Sequence, residues 1–86
     1  LARNLALEFG PDNVRVNTIA PGLVQTDFAK ALWDNPDILK TYTAHSCLKR
    51  IGQPDEIAGM AVFLASKAGA FTTGQTFVID GGQTAI

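Results

Sequence analysis

N-V-R-V-N-T-I-A-P-G-L-V-Q-T, residues 13–26, decides how this chain is read. Val14, Val16 and Ile19 are apolar and β-branched, so Val14 to Ala20 is predicted to be a buried strand. Pro21 has no N–H to continue a sheet ladder, which makes Ala20 the expected last strand residue. Gly22 has no Cβ, so φ is free to turn and backbone can approach a flat ligand. Leu23 to Thr26 then offer backbone N–H and C=O groups plus one hydroxyl. Ligands of open parallel sheets bind just beyond the carboxyl ends of the strands. The segment therefore reads as the lip of a ligand site, although Pro-Gly equally suits an ordinary loop turn.

Upstream, Leu1, Leu5, Ala6 and Phe9 fall at helical spacing, and Gly10-Pro11 is a stop signal. The first residue, Leu1, already lies inside this pattern with no N-cap before it. The expectation is that an N-terminal portion precedes it, because orphan helix N–H groups need partners. Asn17 interrupts an apolar strand and needs a specific partner; bracing a neighbouring loop is its expected role.

Downstream, Asp27 to Cys47 mixes polar and aromatic residues. Phe28, Ala31 and Leu32 share one helical face, and Ile38, Leu39 and Tyr42 share another. Asn35-Pro36 separates the two, because a residue before proline is pushed out of the α region. Two short helices after a ligand-side turn suggest a lid, with a peripheral helical hairpin as the plain alternative. Pro54 suits a first helical position, and Asp55 and Glu56 complement the positive end of the helix dipole. Ile57, Met60, Ala61 and Leu64 make residues 54–66 the clearest amphipathic helix. Val62, Phe63 and Ala65 widen its apolar face, so cover on two sides is expected. Thr76 to Ile79 is predicted as a second buried strand, closed by Asp80-Gly81-Gly82.

Strand, helix and strand form a βαβ-like unit, which implies a parallel pair. Two parallel strands do not make a stable covered sheet alone, so the rest of the sheet is expected elsewhere. The 86 residues suffice for one small domain with 47% hydrophobic and 17% charged content. Seven basic against eight acidic residues, with no basic patch, argue against nucleic acid and anionic membrane surfaces. No apolar run approaches the roughly 20 residues of a membrane span. Cys47, the single cysteine, permits no internal disulfide and no cysteine-based metal cluster. It fits a reducing compartment, the cytoplasm being expected and an organelle staying open.

R-V-N-x-I-x-P-G-x-V-x-T resembles the cofactor segment of the short-chain dehydrogenase/reductase family. L-A-R-N-L-A-L-E-F-G is similar to the end of that family's catalytic helix, R-I-G-Q-P-D-E-I-A to the start of a later helix, and F-T-T-G-Q-T-F-V-I-D-G-G to the last strand and its turn. The likeness covers the whole chain and leans toward carbonyl and retinal reductases. It implies the C-terminal part of a Rossmann-like, doubly wound α/β sheet that binds NAD or NADP without indicating which. It implies that Val24 backbone atoms hold the nicotinamide carboxamide, and that the Thr26 hydroxyl binds near the carboxamide or the pyrophosphate. Pro21, Gly22 and Leu23 would wall the ring, while Phe28, Leu32, Trp33 and Tyr42 on the 27–47 lid would cover a small carbonyl or alcohol substrate.

The resemblance also marks gaps. No glycine-rich G-x-x-x-G-x-G turn occurs, and Tyr42 is followed four residues later by Ser46, not lysine, so the family's Tyr-x-x-x-Lys pair is absent. No catalytic residue is assigned, and the chain is expected to be inactive without the missing N-terminal part of the same protein. His45, Ser46 and Cys47 are neighbours about 100° apart on a helix and do not face one another as a nucleophile and base should. A different class stays open: a non-catalytic binding or assembly module. Met60, Phe63, Phe71 and Phe77 suit either a homo-oligomer surface or the core.

Overall fold

The computed structural model describes residues 1–85. Its elements are helix α1 (Ala2–Phe9), strand β1 (Thr18–Pro21), helices α2 (Lys30–Trp33), α3 (Pro36–Ala44) and α4 (Pro54–Ala65), and strand β2 (Thr76–Ile79). The two strands pair directly. Thr18 N–H donates to Gln75 C=O and Gly22 N–H to Ile79 C=O, each at 2.9 Å. The partner advances in step with the donor, which is the parallel pattern. Helix, strand, two short helices, helix and strand follow in the expected order. Among the described residues, no helix is long and apolar enough to cross a membrane.

The chain resolves into two compact units, residues 1–20 with 58–78 and residues 21–57 with 79–86. In the first unit, α1 turns Ala2, Leu5 and Ala6 inward and leaves Leu1 and Phe9 exposed. Leu1 occupies the N-cap position with no side-chain bond to the helix. The helical path does not stop at Gly10. One tight turn continues through Gly10–Asp12, and Asn13 ends it in the left-handed region at φ 60°. Asparagine tolerates that conformation better than most residues.

The predicted strand over Val14 to Ala20 needs correction, since the ladder begins at Thr18 and includes Pro21. Residues 14–17 pair with the 72–75 loop largely through side chains. Val16 N–H donates to Thr73 Oγ1 at 3.0 Å, Asn17 Nδ2 donates to Thr72 C=O at 3.0 Å, and Asn17 Oδ1 accepts Gln75 N–H at 3.2 Å. Side-chain amides and hydroxyls replace the regular ladder there, and Asn17 braces the loop as expected. Pro21 is tolerated because Thr18 and Gly22 turn their N–H groups toward β2. The alternation of a strand puts the nitrogen of Pro21 on the other side, where no β2 bond is lost.

The expectation of buried strands also needs correction. β2 alternates, with Phe77 and Ile79 half-buried and Thr76 and Val78 exposed. On α4, Met60 and Leu64 are half-buried, yet Val62 is 68% and Phe63 39% exposed, so the second apolar side has no cover. Among the described residues no hydrophobic side chain is buried. Two strands and their crossover helix offer one covered face at most.

In the second unit, Asn35 caps α3, its Oδ1 accepting N–H from Asp37 at 3.0 Å and Ile38 at 3.3 Å. Pro36 occupies the first helical turn, which explains the break between α2 and α3. At the start of α4, Glu56 Oε1 accepts Gln53 N–H at 2.9 Å while Arg50 grips both carboxylate oxygens at 2.7 Å. Arg50 is a helix-bracing residue.

Candidate functional site

The turn after β1 lies in the second unit and is held from several sides. Val24 forms an isolated parallel bridge with Gly52. Gly52 donates to Leu23 C=O at 3.0 Å and accepts Gln25 N–H at 2.9 Å. In that pattern the backbone groups of Val24 itself point away from Gly52. Leu23 N–H donates to Tyr42 Oη at 2.7 Å, and Trp33 Nε1 donates to Thr26 C=O at 2.8 Å. Thr26 N–H turns back to Val24 C=O at 2.8 Å.

Of the five N–H groups from Gly22 to Thr26, four have acceptors among the described residues and that of Val24 has none. Val24 is half-buried, and an N–H without a protein partner calls for a ligand or solvent acceptor. The Val24 carbonyl accepts one bond and keeps a second lone pair. The Thr26 hydroxyl accepts Ala29 N–H at 3.2 Å and retains its own proton to donate.

Val24 and Thr26 line a largely apolar groove of about 690 Å³. Pro21, Gly22, Leu23, Val24, Thr26, Phe28, Leu32 and Tyr42 line it together, joined by Ala29, Ile38 and Gln83. The structure thus gathers eight of the residues singled out from the sequence. Trp33 is outside the lining, with its indole N–H on Thr26. Phe28 is fully exposed at the edge of the groove. Sequence reasoning missed Gln83, which follows the Asp80-Gly81-Gly82 turn. That turn was the available signal, since it closes β2 at its carboxyl end.

The reason for glycine at position 22 is different from the one expected. Its φ is not positive. A Cβ there would collide with Tyr42 Oη and stand 2.8 Å from both Cα and Cβ of Asp80. The close approach is by protein, above all by the hydroxyl of the aromatic that also anchors Leu23.

The other polar candidates resolve into structural roles. Ser46, the only fully buried side chain among the described residues, donates to Thr43 C=O at 3.2 Å and accepts Lys49 N–H at 3.0 Å. Cys47 Sγ faces Gly82 C=O at 3.4 Å. Asp80 accepts Gly82 N–H at 2.9 Å and Thr84 N–H at 3.0 Å. The Thr84 hydroxyl and N–H, with the Gly82 and Gln83 N–H groups, hold its carboxyl below the usual range. It is a turn residue. The bidentate Arg50 contact, seconded by Gln53 N–H, lowers Glu56 from the usual 4.5 to about 2.

A family profile described as enoyl-(acyl carrier protein) reductase matches residues 1–84. Dehydrogenase/reductase SDR family member 4 of Bos taurus is 46% identical over 83 residues, covering 96% of this chain and 30% of that protein. A solved 4-hydroxyisoleucine dehydrogenase mutant complexed with NADH and succinate superposes with a TM-score of 0.93 at 36% identity, covering 99% of this chain and 35% of its own. A gluconate 5-dehydrogenase from Burkholderia cenocepacia J2315, in complex with NADP and tartrate, gives 0.93 at 33% identity, with 99% and 33% covered. The chain therefore spans about a third of the length of its relatives, at 30% to 35%. The shared fold is the Rossmann-like α/β arrangement.

Proposed function

This chain belongs to the short-chain dehydrogenase/reductase family, and on that premise we propose that it forms the nicotinamide-side lip of an NAD(P)-dependent oxidoreductase acting on a carbonyl or secondary alcohol. The observation that carries this reading is the Val24 N–H, the one donor from Gly22 to Thr26 with no acceptor among the described residues, in a residue that lines the groove.

A carboxamide has one acceptor oxygen and an NH₂ donor, so the N–H and C=O of Val24 match it in a fixed orientation. The Thr26 hydroxyl proton adds a donor beside them. Pro21, Gly22 and Leu23 form the wall, and Leu32 and Ile38 give the groove an apolar flank for the body of the substrate. When bound, NAD or NADP supplies the hydride chemistry. The chain's share is to orient the reactive ring, and orientation contributes much of such catalysis.

The residues of this groove include no proton-transfer pair. The hydroxyl of Tyr42 accepts from Leu23, and residue 46 is a buried serine rather than lysine. Proton transfer is therefore assigned to the family's tyrosine and lysine on polypeptide outside these residues. The absence of any buried hydrophobic side chain among the described residues supports the same division. Exposed Val62, Phe63, Phe71 and Val78 are assigned to contact with that further polypeptide, and with a second copy in a homo-oligomer.

The direct test is to incubate the isolated 86-residue chain with NADH or NADPH and reactive carbonyls, beside the intact protein. Turnover by the intact protein alone is expected. Robust turnover by the isolated chain would overturn the proposed division of labour.

A further inference from the structure

We propose that Tyr42 and Trp33 are positioning residues for the nicotinamide loop, and that the helical pair carrying them clamps this loop rather than acting as a free substrate lid. The proposal rests on the reading of the loop as a nicotinamide site.

Each aromatic presents one polar atom, and each such atom ends on a loop backbone group beside Val24. Tyr42 Oη takes the Leu23 N–H at 2.7 Å, one residue before Val24. Trp33 Nε1 gives its only proton to Thr26 C=O at 2.8 Å, two residues after it. The bonds come from different helices, α3 and α2. Gly52 holds the segment between them through Leu23 C=O and Gln25 N–H. A free lid would swing with its aromatic tips in solvent or on substrate. Here the tips are committed to the main chain.

Gly22 supports the same conclusion from a separate observation. Any Cβ there would collide with Tyr42 Oη, so the missing side chain makes room for the hydroxyl over the turn. The Tyr42 hydroxyl accepts from Leu23 and still has its own proton. The indole has no further donor, which limits Trp33 to its bond with Thr26. Fixing Leu23 and Thr26 leaves the Val24 peptide groups little freedom to turn. Pre-orientation of this kind raises affinity without adding a ligand contact.

The test uses Tyr42→Phe and Trp33→Phe in the intact protein. Dissociation constants are measured for NADH, for NADPH and for ADP-ribose, used as its 2′-phosphate where NADPH is the preferred cofactor, so that the ligand differs from that cofactor only by the missing nicotinamide. Each variant is expected to weaken the preferred reduced cofactor by roughly three- to thirty-fold, the range for one hydrogen bond at a partly buried site. ADP-ribose binding should stay at its wild-type value, which also certifies the fold. Unchanged cofactor affinity overturns the clamp. So does equal weakening of both ligands, which marks general damage. If the wild-type protein binds ADP-ribose as tightly as either complete cofactor, the nicotinamide reading itself fails and the clamp falls with it.

Discussion

Replacing Gly22 by alanine adds one methyl group where two parts of the second unit converge. That Cβ would lie 2.8 Å from Cα and Cβ of Asp80, against about 3.5 Å for a relaxed carbon contact. Asp80 must retreat by about 0.7 Å, or Gly22 must leave β2. Asp80 resists, because its carboxylate holds Gly82 and Thr84 N–H. Gly22 resists through its 2.9 Å bond to Ile79 C=O. Overpacking of this kind costs about 1–3 kcal/mol. Urea unfolding of the intact protein reads this as a midpoint shift at constant slope, with Gly22→Ala falling below wild type. Adding Tyr42→Phe to Gly22→Ala removes the contact with Oη and leaves that with Asp80, so it should not restore stability. A Gly22→Ala protein as stable as wild type would refute the close-approach argument.

Acid should loosen the start of α4. Glu56 has a folded value of about 2 against the usual 4.5, so its contribution is complete above 4.5 and is lost as pH falls toward about 2. Glu56→Gln should flatten that part of the acid titration, measured by amide exchange at Gln53, and an unchanged titration would show that Glu56 is not its source. Asn17→Ala removes the clips to Thr72 and Gln75, at a cost of about 1–3 kcal/mol. Faster exchange at Gln75 N–H should accompany it, and unaltered exchange would argue against the side-chain brace.

What the sequence showed and what it hid divide along physical lines. Asn35-Pro36, Pro54 and the bounds of the 76–79 strand obey local rules, and the structure places them as read, whereas the burial expected of that strand is found only at Phe77 and Ile79, and there only in part. Val14 to Asn17 looked like ladder because Val14 and Val16 are β-branched and apolar. Their pairing depends on Thr72, Thr73 and Gln75, more than fifty residues away, and local propensity carries no such information. The roles of Trp33 and Tyr42 were hidden for the same reason: helical spacing identified aromatic faces, while their polar atoms act on backbone up to 19 residues distant. A signal was nevertheless present. The chain has one tryptophan and one tyrosine, both on the short helical pair, and each carries a polar atom that needs a partner when covered. At position 22 the sequence offered a free φ and the approach of a ligand, whereas the packing of Tyr42 and Asp80 supplies a different reason for glycine.

The central claim concerns a single peptide group, the N–H of Val24. Its amide resonance can be followed in the ¹⁵N-labelled intact protein during titration with NADH or NADPH and, separately, with ADP-ribose. The account predicts a large shift at Val24 and slowed solvent exchange of its N–H with the complete cofactor, and little change with ADP-ribose. A Val24 amide that responds equally to both ligands, or stays still while the cofactor binds, would contradict it.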